Sequence, residues 1–113
     1  MCEPRSTVYW IYITAGSLAE AERIGALLVA QRLAACVNVL PNVVSLYRWQ
    51  GEVQRDQECV LIAKTTADSF PALEGAVKEA HSYDCPCIIA LPIVGGHAPF
   101  LKWIAEEVRH ETP

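Results

Sequence analysis

Cys85-Pro86-Cys87 is the densest run of reactive side chains in this 113-residue sequence. Residues i and i+2 of an extended segment face the same way, so both sulfurs can meet one soft ion. Thiolates select Cu(I) or Zn²⁺, the latter with bonds of about 2.3 Å. His81, at the end of the helix predicted to lead into this segment, is the natural third ligand. Two considerations weigh on the other side. Cysteine is among the most buried residue types and often only fills space. A Cys-x-Cys also lacks the spacing of a structural zinc site. Packing is therefore the plainer reading of these thiols, and a copper or zinc site the sharper one. No cofactor is required by anything in the sequence.

Cys36 opens an extended stretch. As a nucleophile it would need a histidine or another positive group to form thiolate. His81 could supply that across the sheet or a subunit boundary, but a buried small hydrophobe explains Cys36 more simply. Lys64 follows Ile62-Ala63 and precedes two threonines. It is either solvated or the charged wall of an intersubunit cleft that holds an anionic effector. Tyr47, Trp49 and Tyr83 read as interface packing ahead of a substrate platform, because aromatics supply much of the energy of subunit contacts. His97 and His110 flank the last predicted helix with no assigned task. Gly95-Gly96 is too little for a phosphate loop. No nucleophile, base and orienting group can be assembled from spacing, so the chain is not read as an enzyme.

The elements that must position these residues are legible. Val8 to Thr14 holds four β-branched and three aromatic residues without clean alternation, which predicts a strand buried on both faces. Ser17-Leu18-Ala19-Glu20 is a capping box, in which Ser17 accepts from the amide of position 20 and Glu20 reaches back to the amide of Ser17. Leu18, Ala21, Ile24 and Leu28 make one helical face, and the helix should end near Arg32. An extended stretch runs from about Ala35 to Trp49, with Pro41 at a bulge or an edge. Gln50-Gly51 turns the chain into a second stretch from Glu52 to about Thr65. A second helix starts near Asp68 or Ser69, tolerates Pro71 in its first turn, and carries Phe70, Leu73, Val77 and Ala80 on one face. A short strand, Cys87 to Ile93, precedes a last helix from about Pro99 to His110, with Phe100, Ile104 and Val108 at four-residue steps.

The order β-α-β-β-α-β plus a terminal helix predicts one α/β (α+β) domain over residues 1–113, with a ferredoxin-like antiparallel sheet and helices on one face. The hairpin is out of scale. Its fifteen-residue first arm reaches about 50 Å, against a radius of gyration of roughly 13 Å for a chain this long. It must overshoot its sheet or bend at Pro41. An overhanging ribbon carrying Val43, Val44, Leu46, Tyr47 and Trp49 invites edge pairing, and the safe outcome is a closed symmetric oligomer.

Composition points the same way. Apolar residues make up 52% and charged residues only 19%, more apolar surface than a lone small domain can hide. The net charge of −4 argues against a nucleic-acid partner. No apolar run approaches the roughly 18 residues that span a bilayer, so no membrane partner is expected. Five cysteines, an odd number, behind a start with no basic-then-apolar region predict free thiols or metal ligands in a cytoplasmic protein.

Arg32-Leu33-Ala34-Ala35-Cys36-Val37-Asn38-Val39-Leu40-Pro41 resembles the signature of the CutA-type divalent-cation-tolerance family. Ser45-Leu46-Tyr47-Arg48-Trp49-Gln50-Gly51, Lys64-Thr65-Thr66 and His81-Ser82-Tyr83 ahead of Pro86 match it in order, as does the tail from Leu91-Pro92-Ile93 to Leu101-Lys102-Trp103. The similarity spans residues 8 to 107. It implies a very stable homotrimer of ferredoxin-like subunits with a role in tolerance to divalent metals, copper above all. It also makes Cys36 worth naming beside Cys85, Cys87 and His81 as a metal-site candidate. The fold further resembles the trimeric PII signalling proteins, which bind small effectors between subunits. That is the alternative reading for Lys64, Tyr47, Trp49 and Tyr83. One segment departs from the family. Where His-Pro-Tyr-Glu-Val-Pro-Glu is usual, this chain reads His81-Ser82-Tyr83-Asp84-Cys85-Pro86-Cys87. A carboxylate role at 87 is lost and two thiols are added. The cysteine that ends the first strand in copper-binding bacterial members has no counterpart near Ile13.

Overall fold

Period-two burial shapes the sheet. In β1 (Val8–Ala15), Ile11, Ile13 and Ala15 are buried while Trp10 and Tyr12 are exposed. From Trp10 onward the strand is thus covered on one face only, not on both as expected, while Val8 on the other face is buried against Ile104 in the last helix and Val108 at its end. The reason is that both long helices lie on the same side. The computed structural model describes residues 7–109, so Cys2 and His110 lie outside the described residues. After β1 come α1 (Leu18–Ala30), β2 (Cys36–Trp49), β3 (Glu52–Thr66), α2 (Phe70–Ala80), β4 (Ile88–Pro92) and α3 (Ala98–Glu107). The sheet order is β2-β3-β1-β4 with every neighbouring pair antiparallel, the ferredoxin-like arrangement.

The core lies between this sheet and the helices. Ile11, Ile13, Leu61 and Ala63 pack against Ile24, Leu28, Leu73 and Val77. Gly25 lets α1 approach closely, since a Cβ there would stand 3.0 Å from Val37 Cγ2 and 3.3 Å from Leu61 Cδ1.

Each helix end departs from expectation in an informative way. At α1 the Ser17 hydroxyl accepts from the Glu20 amide at 3.1 Å, as a capping box requires. The Glu20 carboxylate, however, takes the Gly16 amide at 3.2 Å rather than that of Ser17, and its second oxygen takes the Ser82 amide at 2.8 Å. Leu18 is exposed instead of joining the buried face. The helix stops at Ala30, and Arg32 turns the chain with φ of 59°. The Arg32 guanidinium then donates to the carbonyls of Glu107 at 2.8 Å and Glu106 at 3.1 Å, capping the C-terminus of α3. Ser69 precedes α2 without capping it; its hydroxyl donates to the Arg109 carbonyl at 2.7 Å.

The long hairpin overshoots. Pro41-Asn42 forms a bulge between the Leu40 and Val43 pairings, on the edge strand, with Asn42 at φ of 61°. Gln50 and Gly51, at φ of 51° and 82°, make the left-handed two-residue turn that suits twisted strands. Pairing with β1 ends at Ala15↔Cys59, so the hairpin beyond Glu58 leaves the sheet. The principal extents of 47 × 25 × 23 Å record that overhang. Leu46, Trp49 and Val53 on it are 69%, 59% and 68% exposed. Beyond Val8, which α3 covers, the sheet face opposite α1 and α2 is also apolar and uncovered, with Trp10, Tyr12, Leu40, Ile89 and Leu91 exposed. No helix among the described residues is long and apolar enough to cross a membrane.

Candidate functional site

The loop between α2 and β4 meets the hairpin where the latter leaves the sheet. Its anchor is His81, whose side chain is completely buried. Nε2 lies 2.7 Å from the Thr14 carbonyl, and Nδ1 lies 3.1 Å from the Tyr83 amide. A carbonyl only accepts and an amide N–H only donates. These partners therefore fix a neutral imidazole with its proton on Nε2. The ring also lies against Tyr83, with centroids 4.6 Å apart. Beside it, burial pushes the Glu20 carboxyl up, but hydrogen bonds from Ser82 and Gly16 outweigh that and hold it below its ordinary value.

From this anchor the loop projects Tyr83 toward the hairpin. The Tyr83 hydroxyl donates to Glu58 at 2.8 Å, and the Tyr47 hydroxyl donates to Asp56. Burial and the Glu58 carboxylate push the Tyr83 phenol well above its usual value. Asp56 and Glu58 share a face of β3 because they are two residues apart on a strand. Opposite them in register stand Ser45 and Val43. Between loop and hairpin lies a cleft of about 650 Å³, lined by Cys85, Cys87, Tyr83, Tyr47, Trp49 and the two β3 carboxylates among others. Burial pushes the Cys87 thiol up and the charge of Glu58 adds to this, against a hydrogen bond with Thr14.

The structure therefore gathers five of the singled-out residues, Cys85, Cys87, Tyr47, Trp49 and Tyr83, around one cleft. Cys85 and Cys87 precede β4 rather than lying within it, since that strand starts at Ile88. Three residues fall elsewhere. His81 is adjacent but buried, with both ring nitrogens engaged, so in this arrangement it is not free to bind a metal. Cys36 lies on β2, paired with Lys64, with β3 and β1 between it and β4. Lys64 does not line this cleft within the subunit. It lies on the sheet face opposite α1 and α2, where its ammonium donates to Asn38 and stands 5.9 Å from the centre of the Trp10 ring. Sequence reasoning missed Asp56 and Glu58. Their i, i+2 spacing on a predicted strand was a signal, but nothing local tied them to Tyr83.

Among the described residues no three His, Cys, Asp or Glu side chains stand close enough to hold one metal ion. A closed tetrahedral zinc site therefore does not fit. Two thiols on the wall of one cleft do suit a soft ion satisfied by few sulfur ligands.

Sequence and fold comparisons agree with this geometry. The profile of the CutA1 divalent ion tolerance protein family matches residues 9–107. The divalent-cation tolerance protein CutA of Thermus thermophilus is 49% identical over 96 residues, which cover 85% of this chain and 93% of that one. A crystal structure of CutA1 from Oryza sativa superposes with a TM-score of 0.92 at 37% identity, covering 96% of this chain and all of the other. A CutA structure from Archaeoglobus fulgidus, described as periplasmic, gives a TM-score of 0.87 at 45% identity over 90% of this chain and 99% of its own. A ferredoxin-like sheet, an overshooting hairpin and a family match across nearly the whole chain lead to one conclusion: this protein belongs to the CutA1 divalent ion tolerance family.

Proposed function

We infer that this protein is a homotrimeric, non-enzymatic responder to metal ions, copper foremost, with the whole chain acting as one CutA-type domain. The observation that carries the reading is the placement of Cys85 and Cys87 on one cleft wall, accessible from solvent. Cys85 and Cys87 would supply the thiolates for Cu(I), and the Glu58 carboxylate would favour a cation beside Cys87 while resisting its ionisation beforehand. Self-association is supported by the uncovered apolar sheet face and by the exposed hairpin tip, which together leave more apolar surface than a monomer normally shows. A cytoplasmic setting is supported by four free cysteines among the described residues, which a reducing compartment preserves. An anionic effector, the PII-like alternative, gains nothing here. In this cleft it would meet carboxylates while Lys64 stands outside.

The test is a Cu(I) titration of the reduced protein against a competing chelator, beside Cys85→Ser/Cys87→Ser, with the assembly mass followed by sedimentation. The expected result is a trimer that holds Cu(I) tightly and loses that binding in the double variant. Weak binding unchanged by the variant would sink the thiolate site, and a monomer would sink the assembly.

A further inference from the structure

The loop between α2 and β4 is held at three points, and His81 bears on two of them. The Tyr83 amide donates to His81 Nδ1 at 3.1 Å, the Ser82 amide to Glu20 Oε2 at 2.8 Å, and the Tyr83 hydroxyl to Glu58 at 2.8 Å. Tyr83 sits over Gly16, where a Cβ would stand 3.3 Å from the phenol oxygen. The His81 side chain is fully buried within one subunit, so association with further copies can only add cover.

Histidine is the side chain that ordinarily changes charge between about pH 5 and 8. Here Nε2 already donates to the Thr14 carbonyl at 2.7 Å, so an added proton goes to Nδ1. That atom is the acceptor for the Tyr83 amide. Once protonated it becomes a donor, and two donors then face each other in a buried site. Glu20 Oε2 stands 3.7 Å from Nδ1, with its side chain only 9% exposed, and is placed to take the new N–H. Glu20 is ionised throughout this range, because its carboxyl lies below 4.5. The other titratable neighbours do not compete for the proton. From α1, Arg23 stands 3.9 Å from the same Glu20 oxygen and donates to the Ala80 carbonyl at 3.3 Å. The Tyr83 phenol stays protonated, and Glu58 of β3 is reached only through it. The Cys87 thiol, pushed up by burial, bonds Thr14 instead.

We propose that His81 is an acid-sensitive latch, in which protonation at Nδ1 exchanges the Tyr83 amide for the Glu20 carboxylate and releases residues 82–87 from the hairpin. In the closed form the neutral ring holds the Tyr83 amide, and the Tyr83 ring lies against it with centroids 4.6 Å apart. In the open form Nδ1–H donates to Glu20 Oε2 and competes there with the Ser82 amide. The freed Tyr83 amide turns to water, and the phenol leaves Gly16 and its bond to Glu58. One proton is taken up per subunit. The loop carries Cys85 and Cys87, so their approach to the hairpin follows its position. The latch needs no metal and stands or falls separately from copper capture.

The experiment is NMR spectroscopy of the reduced, metal-free full-length protein from pH 8 to pH 5, a window above the ordinary carboxyl range of about 4. Imidazole nitrogen shifts read the tautomer and charge of His81, and amide protection factors read the loop. The ring is expected to pass from the neutral Nε2–H tautomer to imidazolium. Protection over residues 82–87 should fall roughly tenfold or more at the same midpoint, with the core of the sheet still protected. His81→Asn offers the Tyr83 amide a carbonyl that does not titrate, so its loop protection should stay constant across the window. Glu20→Gln removes the charge that receives the proton and should move the opening to lower pH by about one unit. It keeps side-chain shape, so it remains informative if His81→Asn does not fold. A ring that stays neutral down to pH 5, or one that protonates while the loop stays protected, would overturn the proposal. So would opening unchanged in either variant, or protection lost across the whole sheet at the same pH.

Discussion

The Tyr83 hydroxyl donates to the Glu58 carboxylate at 2.8 Å, joining the loop ahead of β4 to the hairpin where it leaves the sheet. It is one of two phenol–carboxylate hydrogen bonds around the cleft, Tyr47 to Asp56 being the other. A hydrogen bond to a charged group is worth about 1.5–3 kcal/mol when well shielded, and less where solvent reaches it. The Tyr83→Phe variant keeps the ring and removes only this bond. It should lose about 1 kcal/mol of stability, measured by denaturant unfolding, with faster amide exchange over residues 82–87.

His81 separates a structural role from a ligand role. Its removal by His81→Ala would leave the Thr14 carbonyl and the Tyr83 amide without partners and open a cavity under the loop. The expected loss is about 2–4 kcal/mol, read from the unfolding midpoint. Cu(I) affinity at the two thiols, measured below the unfolding transition, should change far less than in Cys85→Ser/Cys87→Ser. A loss of Cu(I) binding equal to that of the thiol variant would instead make His81 a ligand.

Glu20 contributes a pH-dependent term of known sign. Its carboxyl lies below the reference value of 4.5 in the folded protein. A carboxyl depressed on folding gives stability that is present above its unfolded pKa and is lost as pH falls through the folded one. Glu20→Gln should therefore flatten the decline of stability below about pH 4.5, with little change in slope near neutrality. Thermal unfolding from pH 7 to pH 3 measures this. An unchanged acid slope would show that the Ser82 and Gly16 hydrogen bonds do not favour the ionised form.

Arg32 links α1 to the far end of the chain. Its guanidinium caps the last carbonyls of α3, and its own carbonyl accepts from the Arg109 amide at 2.9 Å. Arg32→Ala should cost about 1–2 kcal/mol and fray α3 first. Hydrogen exchange would show this as lost protection at the C-terminal end of α3, with the sheet unaffected. Arg32→Gly should recover part of the loss, because glycine accepts the φ of 59° that alanine does not favour.

Local chemistry alone determined the element order, the Ser17 cap, the buried face of Ala21, Ile24 and Leu28, the bulge at Pro41 and the turn at Gln50-Gly51. Each depends on neighbours within a few residues in the chain, so spacing and side-chain type were sufficient. The shared exposure of Cys85 and Cys87 to one cleft was legible for the same reason. The one-sided burial of β1 was not, because Trp10 and Tyr12 are as apolar as the residues beneath the helices and only helix placement tells the faces apart. Tertiary structure alone decided the fate of the site residues. His81 meets Thr14 across 67 positions in sequence, and Tyr83 meets Glu58 across 25. Lys64 finds Asn38 on the opposite arm of the hairpin, away from the cleft. Such partners are set by which strands lie side by side and how far the hairpin overshoots. That is a property of the assembled sheet, and it decided which residues face the cleft.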